Sequence, residues 1–351
     1  MTARNHTTAT AATATAAAAA AASSRAGLGR RVAAAAGAVA GAAALALTIS
    51  ALAGPAAAMA AAAAAAPLNC QALPSACGYP DATNTGPPKG MPLLAVPGQV
   101  TKGAGWAYSA ATNEVDVTGA GAVLTGLSFT AYVNVEANNV TLDDDQVTAS
   151  GYWGVALRHT TGVTIENSAI SGTNATTGEV GSAVDDVYGD STGMTIKNDN
   201  ISAFKTAIQV STGVIAGNYI HDPGFVTGDH TNGILDIGTT QPLSITGNTI
   251  LDSLNQTDAI SLDATLTGQA IANKTVTGNL IAGGGYPIYG GDARSAVISD
   301  MTISNNRFGQ GYFALSGLYG PVAYYTTAGT ANTWANNTYD STGTVIPAPT
   351  S

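Results

Sequence analysis

The densest group of reactive side chains in this sequence is Gly228-Asp229-His230-Thr231-Asn232-Gly233-Ile234. An imidazole on a loop leading into a strand suits a general base, because its ordinary pKa lies close to neutral pH. A His that holds its loop by a hydrogen bond is the alternative. Asp229 and Asp236 flank the patch, and Arg158-His159 forms a second reactive pair. A third group emerges when the short apolar runs at 154–157, 183–187, 207–210, 233–237, 259–263 and 287–289 are aligned. The alignment places Arg158, Asp185, Gln209, Asp236 and Asp263, with Asp292 beyond them, on one outward face. Stacked carboxylates repel one another without a counter-ion. The face therefore reads as a groove for sugar or Ca²⁺, with Asp185, Asp236 and Asp263 as cation ligands, or as an ordinary solvated surface. Asp143-Asp144-Asp145 leaves the same choice between a metal site and a wet turn.

These residues suit acid–base work on an acidic sugar. Elimination from a uronate polymer needs a base for the C5 proton and a cation beside the carboxylate. Among Arg158, Lys197, Lys205, Lys274, Arg294 and Arg307, only Arg158 falls on the aligned face. Hydrolysis would need two carboxylates at a suitable separation, with Asp185, Asp186, Asp236 and Asp263 as candidates. Tyr286, Tyr289, Tyr312 and Tyr319, with Tyr324 and Tyr325 just beyond, would either stack on sugar rings or pack at the end of the fold.

The elements that position these groups repeat one phrase. A β-branched alternating run meets a polar pair, and an apolar residue returns five places after the central one, as in Gly162-Val163-Thr164-Ile165-Glu166-Asn167-Ser168-Ala169-Ile170. The central residues are Leu124, Leu142, Ile165, Ile196, Ile215, Ile245, Val276, Ile303 and Trp334, about 18 to 31 residues apart. Each unit is too short to bury an apolar face alone and must stack on its neighbours. The alphabet is that of strands and turns, so the fold class is all-β, a solenoid of about nine coils, roughly 40 Å long at the usual strand spacing. Asn198, Asn218, Asn248, Asn279 and Asn306 suit left-handed turn positions and a hydrogen-bonded ladder along the rod.

Composition sets the boundaries. Residues 1–66 are Ala-rich and contain no acid; Arg4, Arg25, Arg30 and Arg31 precede an apolar run near 32–53. That is the pattern of a secretory signal, and the rival reading is a membrane anchor through 32–53. Residues 67–118 read as an irregular N-terminal segment and cap, 119–345 as the solenoid with a capping last coil, and 346–351 as a tail. Beyond residue 66, eight Lys and Arg face twenty-two Asp and Glu, a formal charge of −14. Such a surface repels nucleic acid and anionic membrane. Cys70 and Cys77 close a small loop in an oxidising compartment; a reactive thiol or metal pair is the other reading, and no His lies nearby.

The opening Cys77-Gly78-Tyr79-Pro80-Asp81-Ala82-Thr83-Asn84-Thr85-Gly86, followed by coils punctuated with Asn and Gly, resembles secreted actinobacterial proteins with a right-handed parallel β-helix, in the pectin-lyase-like superfamily. The resemblance covers about residues 70–345. The patch at 228–234 is similar to the His-x-Asp-Gly-Ile-Gln stretch of related β-helix proteins, with Asn232 in place of Asp and Leu235 in place of Gln. The resemblance implies a right-handed rod that acts on or binds extracellular polysaccharide, most simply as a lyase assisted by Ca²⁺. His230, Asp229, Asp236 and Arg158 would be catalytic; Asp185, Gln209, Asp263 and Tyr289 would bind substrate. The alternatives are a non-catalytic glycan-binding rod and a structural or adhesive solenoid.

Overall fold

A computed structural model describes residues 69–173, 181–263, 270–291, 298–325, 327 and 330–349. The expected signal or anchor lies outside the described residues, as do Asp292 and Arg294.

The chain is a parallel β-solenoid. Three sheets run along it, and each turn contributes one short strand to each. A representative turn is Asn232–Asp236, Leu243–Thr246 and Thr249–Asp252. We name the three the groove, anchor and return sheets. The anchor sheet stacks the nine central residues of the repeat in one register, with Ile165 between Leu142 and Ile196, and Ile245 between Ile215 and Val276. Eight of the nine are essentially inaccessible to solvent, and Trp334 packs partly buried against the same core. At about 1.5–3 kcal/mol for each buried aliphatic side chain, this column stabilises the rod, as do the equally buried columns of the other two sheets. The solenoid amounts to about seven turns, slightly fewer than the nine coils expected. Its terminal sets are irregular: the first is fed by an antiparallel ladder, and the last uses strands of two or three residues.

The corner between anchor and return strands explains the Asn-Gly punctuation. One residue per turn takes a left-handed conformation, including Asn167, Asn198, Gly217, Gly247, Gly278, Asn305 and Asn336. The next residue points inward. Asn218, Asn248, Asn279, Asn306 and Asn337 are fully buried, and the first four each donate Nδ2 to the Oδ1 of the next Asn at 2.9–3.0 Å. The same amides cap a backbone carbonyl of the preceding turn, as Asn248 Nδ2 does at Ile215 O. The ladder is therefore as expected, but the left-handed position belongs to the residue before Asn218, Asn248, Asn279 and Asn306. Nearer the first turns the ladder continues through Asp199, Ser168 and Asp145, which accept the backbone amides of Ser168, Asp145 and Leu127. Asp144 takes the left-handed corner and Asp145 the ladder, so the Asp143–Asp145 run is part of the architecture.

The ends are covered differently. Strands Lys102–Gly103, Trp106–Ser109 and Glu114–Val117 form an antiparallel ladder over the first turn, with Trp106 edge-on to Phe129. At the other end Tyr325 is buried and donates its hydroxyl to Met301 O and Thr333 O. Ile346, just past the expected boundary at 345, is buried too, and its carbonyl accepts from Trp334 Nε1. Cys70 and Cys77 form a disulfide. Residues 71–93 then run outside the return sheet as a strap. Gln71 contacts the last turns, Gly86 donates to Asn198 O midway, and Leu94 donates to Gly126 O at the first.

Candidate functional site

The outward face of the groove sheet is set by two positions per strand, three residues apart. One column runs Ser182, Thr206, Asn232, Asp258 and Tyr286; the other runs Asp185, Gln209, Leu235, Ser261 and Tyr289. Between them Val184, Ile208, Ile234, Ile260 and Ile288 are buried. The loop at 221–231 and the residues that precede each strand form a wall beside this floor.

Floor and wall enclose a groove of about 430 Å³. His230 and Asp229 line it from the loop, Gln209 and Asp263 from the floor, and Lys205 and Tyr152 from the approaches to their strands. His230 is exposed, and its Nδ1 lies 3.2 Å from Thr257 Oγ1. Lys205 Nζ is 3.9 Å from Asp229 Oδ1 and 5.5 Å from the Tyr152 ring centroid. The geometry thus gathers His230, Asp229, Gln209 and Asp263 as expected and adds Lys205, which the alignment had left off the face. Lys205 immediately precedes its strand, and its carbonyl accepts the Asn232 amide. Following the residues ahead of each strand would have found it.

Asp185 lies one turn above Gln209 on the floor. Its carboxylate accepts Trp153 Nε1 at 2.8 Å and Gln209 Nε2 at 3.0 Å. Burial pushes its pKa up, and the Trp153 hydrogen bond opposes the rise. Arg158 sits beyond Trp153, with its guanidinium 5.2 Å from the Trp153 ring and 5.7 Å from that of Tyr188. It donates to Asn134 Oδ1 and to the Tyr188 hydroxyl. Beside it, His159 stacks on Tyr188 and holds Asp190 at 2.6 Å. Arg158 therefore flanks the groove by way of Trp153 and Tyr152, whose rings meet at 5.1 Å.

Asp236 is not part of the groove. Gln209 pairs with Leu235, so Asp236 points inward at the corner and is fully buried. A one-residue slip reverses every side chain of a strand, and the sequence alignment made that slip. Asp236 instead pairs with Lys274 at 2.9 Å and accepts the Gly238 amide. Lys274 Nζ also donates to Ser211 O and Gln241 O. Burial raises the Asp236 pKa and lowers that of Lys274, and each partner opposes the other's shift. The Ca²⁺ set Asp185, Asp236 and Asp263 accordingly does not converge, and among the described residues no three His, Cys, Asp or Glu side chains do. Asp186 is likewise occupied at its corner, accepting the Ser191 amide.

Sequence reasoning missed Asp258. It is fully buried at the floor, and Asn232 Nδ2 donates to its Oδ1 at 2.8 Å. Burial holds its pKa well above the usual carboxylate range. The carboxylate lacking at Asn232 thus stands one turn further along the same column.

Compared with known protein families, curated proteins and solved structures, the chain matches none. The geometry of the groove therefore carries the functional argument.

Asp185 lies three turns from Asp258 and Asp263, about 14 Å at the spacing of stacked strands. Glycosidase carboxylates stand roughly 5–10 Å apart, so these pairs do not suit hydrolysis. An imidazole, an ammonium group and polar side chains on one open groove suit proton abstraction beside a bound anion.

Proposed function

We propose that the protein is a secreted, right-handed β-helix of the pectin-lyase-like kind that binds extracellular polysaccharide in the groove at His230 and cleaves it by elimination. Lys205 supplies the cation that takes the sugar carboxylate, and His230 removes the C5 proton; the C4–C5 double bond forms as the C4–O glycosidic bond breaks, and the leaving oxygen takes a proton from water. Asp229 holds the Lys205 side of the wall, and Gln209 and Asp263 contact sugar hydroxyls. Arg158, packed against Trp153 and Tyr188, provides a second cationic contact along the chain. The observation that carries this reading is the shared groove of His230, Lys205, Asp229, Gln209 and Asp263.

The test is incubation with uronate polymers while following absorbance of the unsaturated product. Wild type should turn over, and His230→Ala and Lys205→Ala should each lose about a hundredfold or more, the usual contribution of a general acid or base. No product from any uronate polymer, with or without added Ca²⁺, would reject the elimination.

A second reading, binding without turnover, is favoured by Asn232 in place of the Asp of the related pattern. Glycan binding that persists in wild type with no product would select it.

A further inference from the structure

The groove sheet does not end at the His230 groove. Asp258 pairs in register with Tyr286, and Ser261 with Tyr289. Both floor columns thus pass from polar residues to aromatic rings over the last turns. Two loop tyrosines extend this pair. Tyr319 packs on Tyr286 with centroids 5.7 Å apart, and Tyr324 on Tyr289 at 5.4 Å; Tyr286 and Tyr289 themselves meet at 5.7 Å. The result is a continuous arc of four rings, distinct from Tyr325 in the core and from Tyr312 beside Gln71.

Packing at the end of the rod does not account for this arc. Tyr319 is 66% exposed and Tyr324 53%. Tyr324 also has φ of 59°, a left-handed conformation that is costly for a bulky residue. Its neighbour Tyr325 is buried and fills the core. The backbone there turns one ring inward and holds the next outward at the cost of strain. The exposed rings of Tyr319 and Tyr324 leave apolar faces open to solvent.

The chemistry of the arc identifies the ligand class. Tyrosine faces bind flat apolar surfaces with polar rims, which describes a pyranose ring. Among the described residues around Tyr289 is the carboxylate of Asp263, and burial above all pushes the Tyr289 hydroxyl up to about 12. That setting repels an anionic sugar and favours a neutral one. We infer that Tyr286, Tyr289, Tyr319 and Tyr324 form a binding platform for uncharged pyranose units of a glycan that continues from the groove. The inference rests on reading the outward face of the groove sheet as a glycan-binding surface, and it adds a site with the opposite charge preference.

The test is calorimetric titration of the intact protein with neutral gluco-, manno- and xylo-hexasaccharides and with a galacturonate hexasaccharide. At least one neutral hexasaccharide should bind, and Tyr319→Ala and Tyr324→Ala should each weaken it about tenfold, the scale of one ring contact. Tyr319→Phe should stay within about twofold, because the ring face makes the contact. Neutral binding is read by calorimetry and elimination by absorbance on uronate polymers, so failure of the elimination and failure of the platform are read separately. The proposal is overturned if no neutral hexasaccharide binds or if the two Ala variants bind as wild type does. It is also overturned if the galacturonate hexasaccharide binds as tightly as the neutral ones and loses as much in Tyr319→Ala.

Discussion

Gln71 Oε1 accepts the backbone amide of Gly311, 240 residues further along the chain, at 2.6 Å. The Gln71 backbone amide in turn donates to Asp340 Oδ2 at 3.0 Å. These two bonds fasten the start of the strap to the last turns, beside the Cys70–Cys77 loop. Since Leu94–Val96 pairs with the strand of the first turn, the strap links both ends of the rod.

Gln71→Ala should therefore loosen the strap without unfolding the coil. Losing the side-chain bond to the Gly311 amide should cost about 1 kcal/mol. Limited proteolysis should find cleavage within residues 78–92 that is absent from wild type, and removing the disulfide with Cys70→Ser and Cys77→Ser should have the same effect. Unchanged protection would show that the strap is held elsewhere.

The asparagine ladder gives a sharper expectation. Asn248 donates to Asn279 Oδ1 and Ile215 O and accepts the Asn218 backbone amide and side chain. Asn248→Ala strands several buried polar groups at once, each costing about 1–3 kcal/mol. Urea unfolding should show a loss of about 3 kcal/mol or more, against a small change for the exposed corner substitution Asn336→Gly.

Acidic groups in the interior set a pH dependence. Burial pushes Asp145 and Asp252 up to about 7, and Asp199 and Asp258 well above the usual range. The native state keeps these protons over a range where the unfolded chain, titrating near 3.8, has lost them. Their stabilisation is complete below that value and declines as pH rises through about 7. Tm should thus be higher at pH 5 than at pH 8. Asp199→Asn, which restores the amide used at Asn218, should reduce that difference and raise Tm at pH 8.

Asp236 and Lys274 provide the control for the site assignment. Removing one member of a buried pair leaves the other uncompensated and costs about 3–5 kcal/mol. Asp236→Ala and Lys274→Met should lower Tm, while the folded fraction keeps wild-type affinity for glycan. A selective loss of binding at unchanged stability would return Asp236 to the groove.

The rod was legible because its phrase carries three signals at once. Ile165, Ile245 and Ile303 sit at the centre of period-two runs, and the corner residues that follow them are Asn or Gly. The groove was less legible because register between strands is not written in any one strand. Loops between turns vary in length, so Gln209 was matched with Asp236 when its partner is Leu235, and the error moved a buried ion pair onto the surface. Tyr324 and Tyr325 make the same point: adjacent and identical, one is exposed and the other buried, and nothing in the pair itself says which. His230 and Asp229 were found because a loop can be read locally, whereas Lys205 joined them only through the stacking of separate turns.

The strap also settles where the chain leaves the solenoid. Gln71 rests on the last turns, and Ile346 closes the same end. Both termini of the described rod thus share one pole, and the opposite pole is roofed by the Trp106 ladder. A label, bead or surface coupled at residue 69 or at residue 349 will hold the rod by the tyrosine-bearing pole and leave the Arg158 flank farther out. Attachment at either residue gives the rod the same orientation.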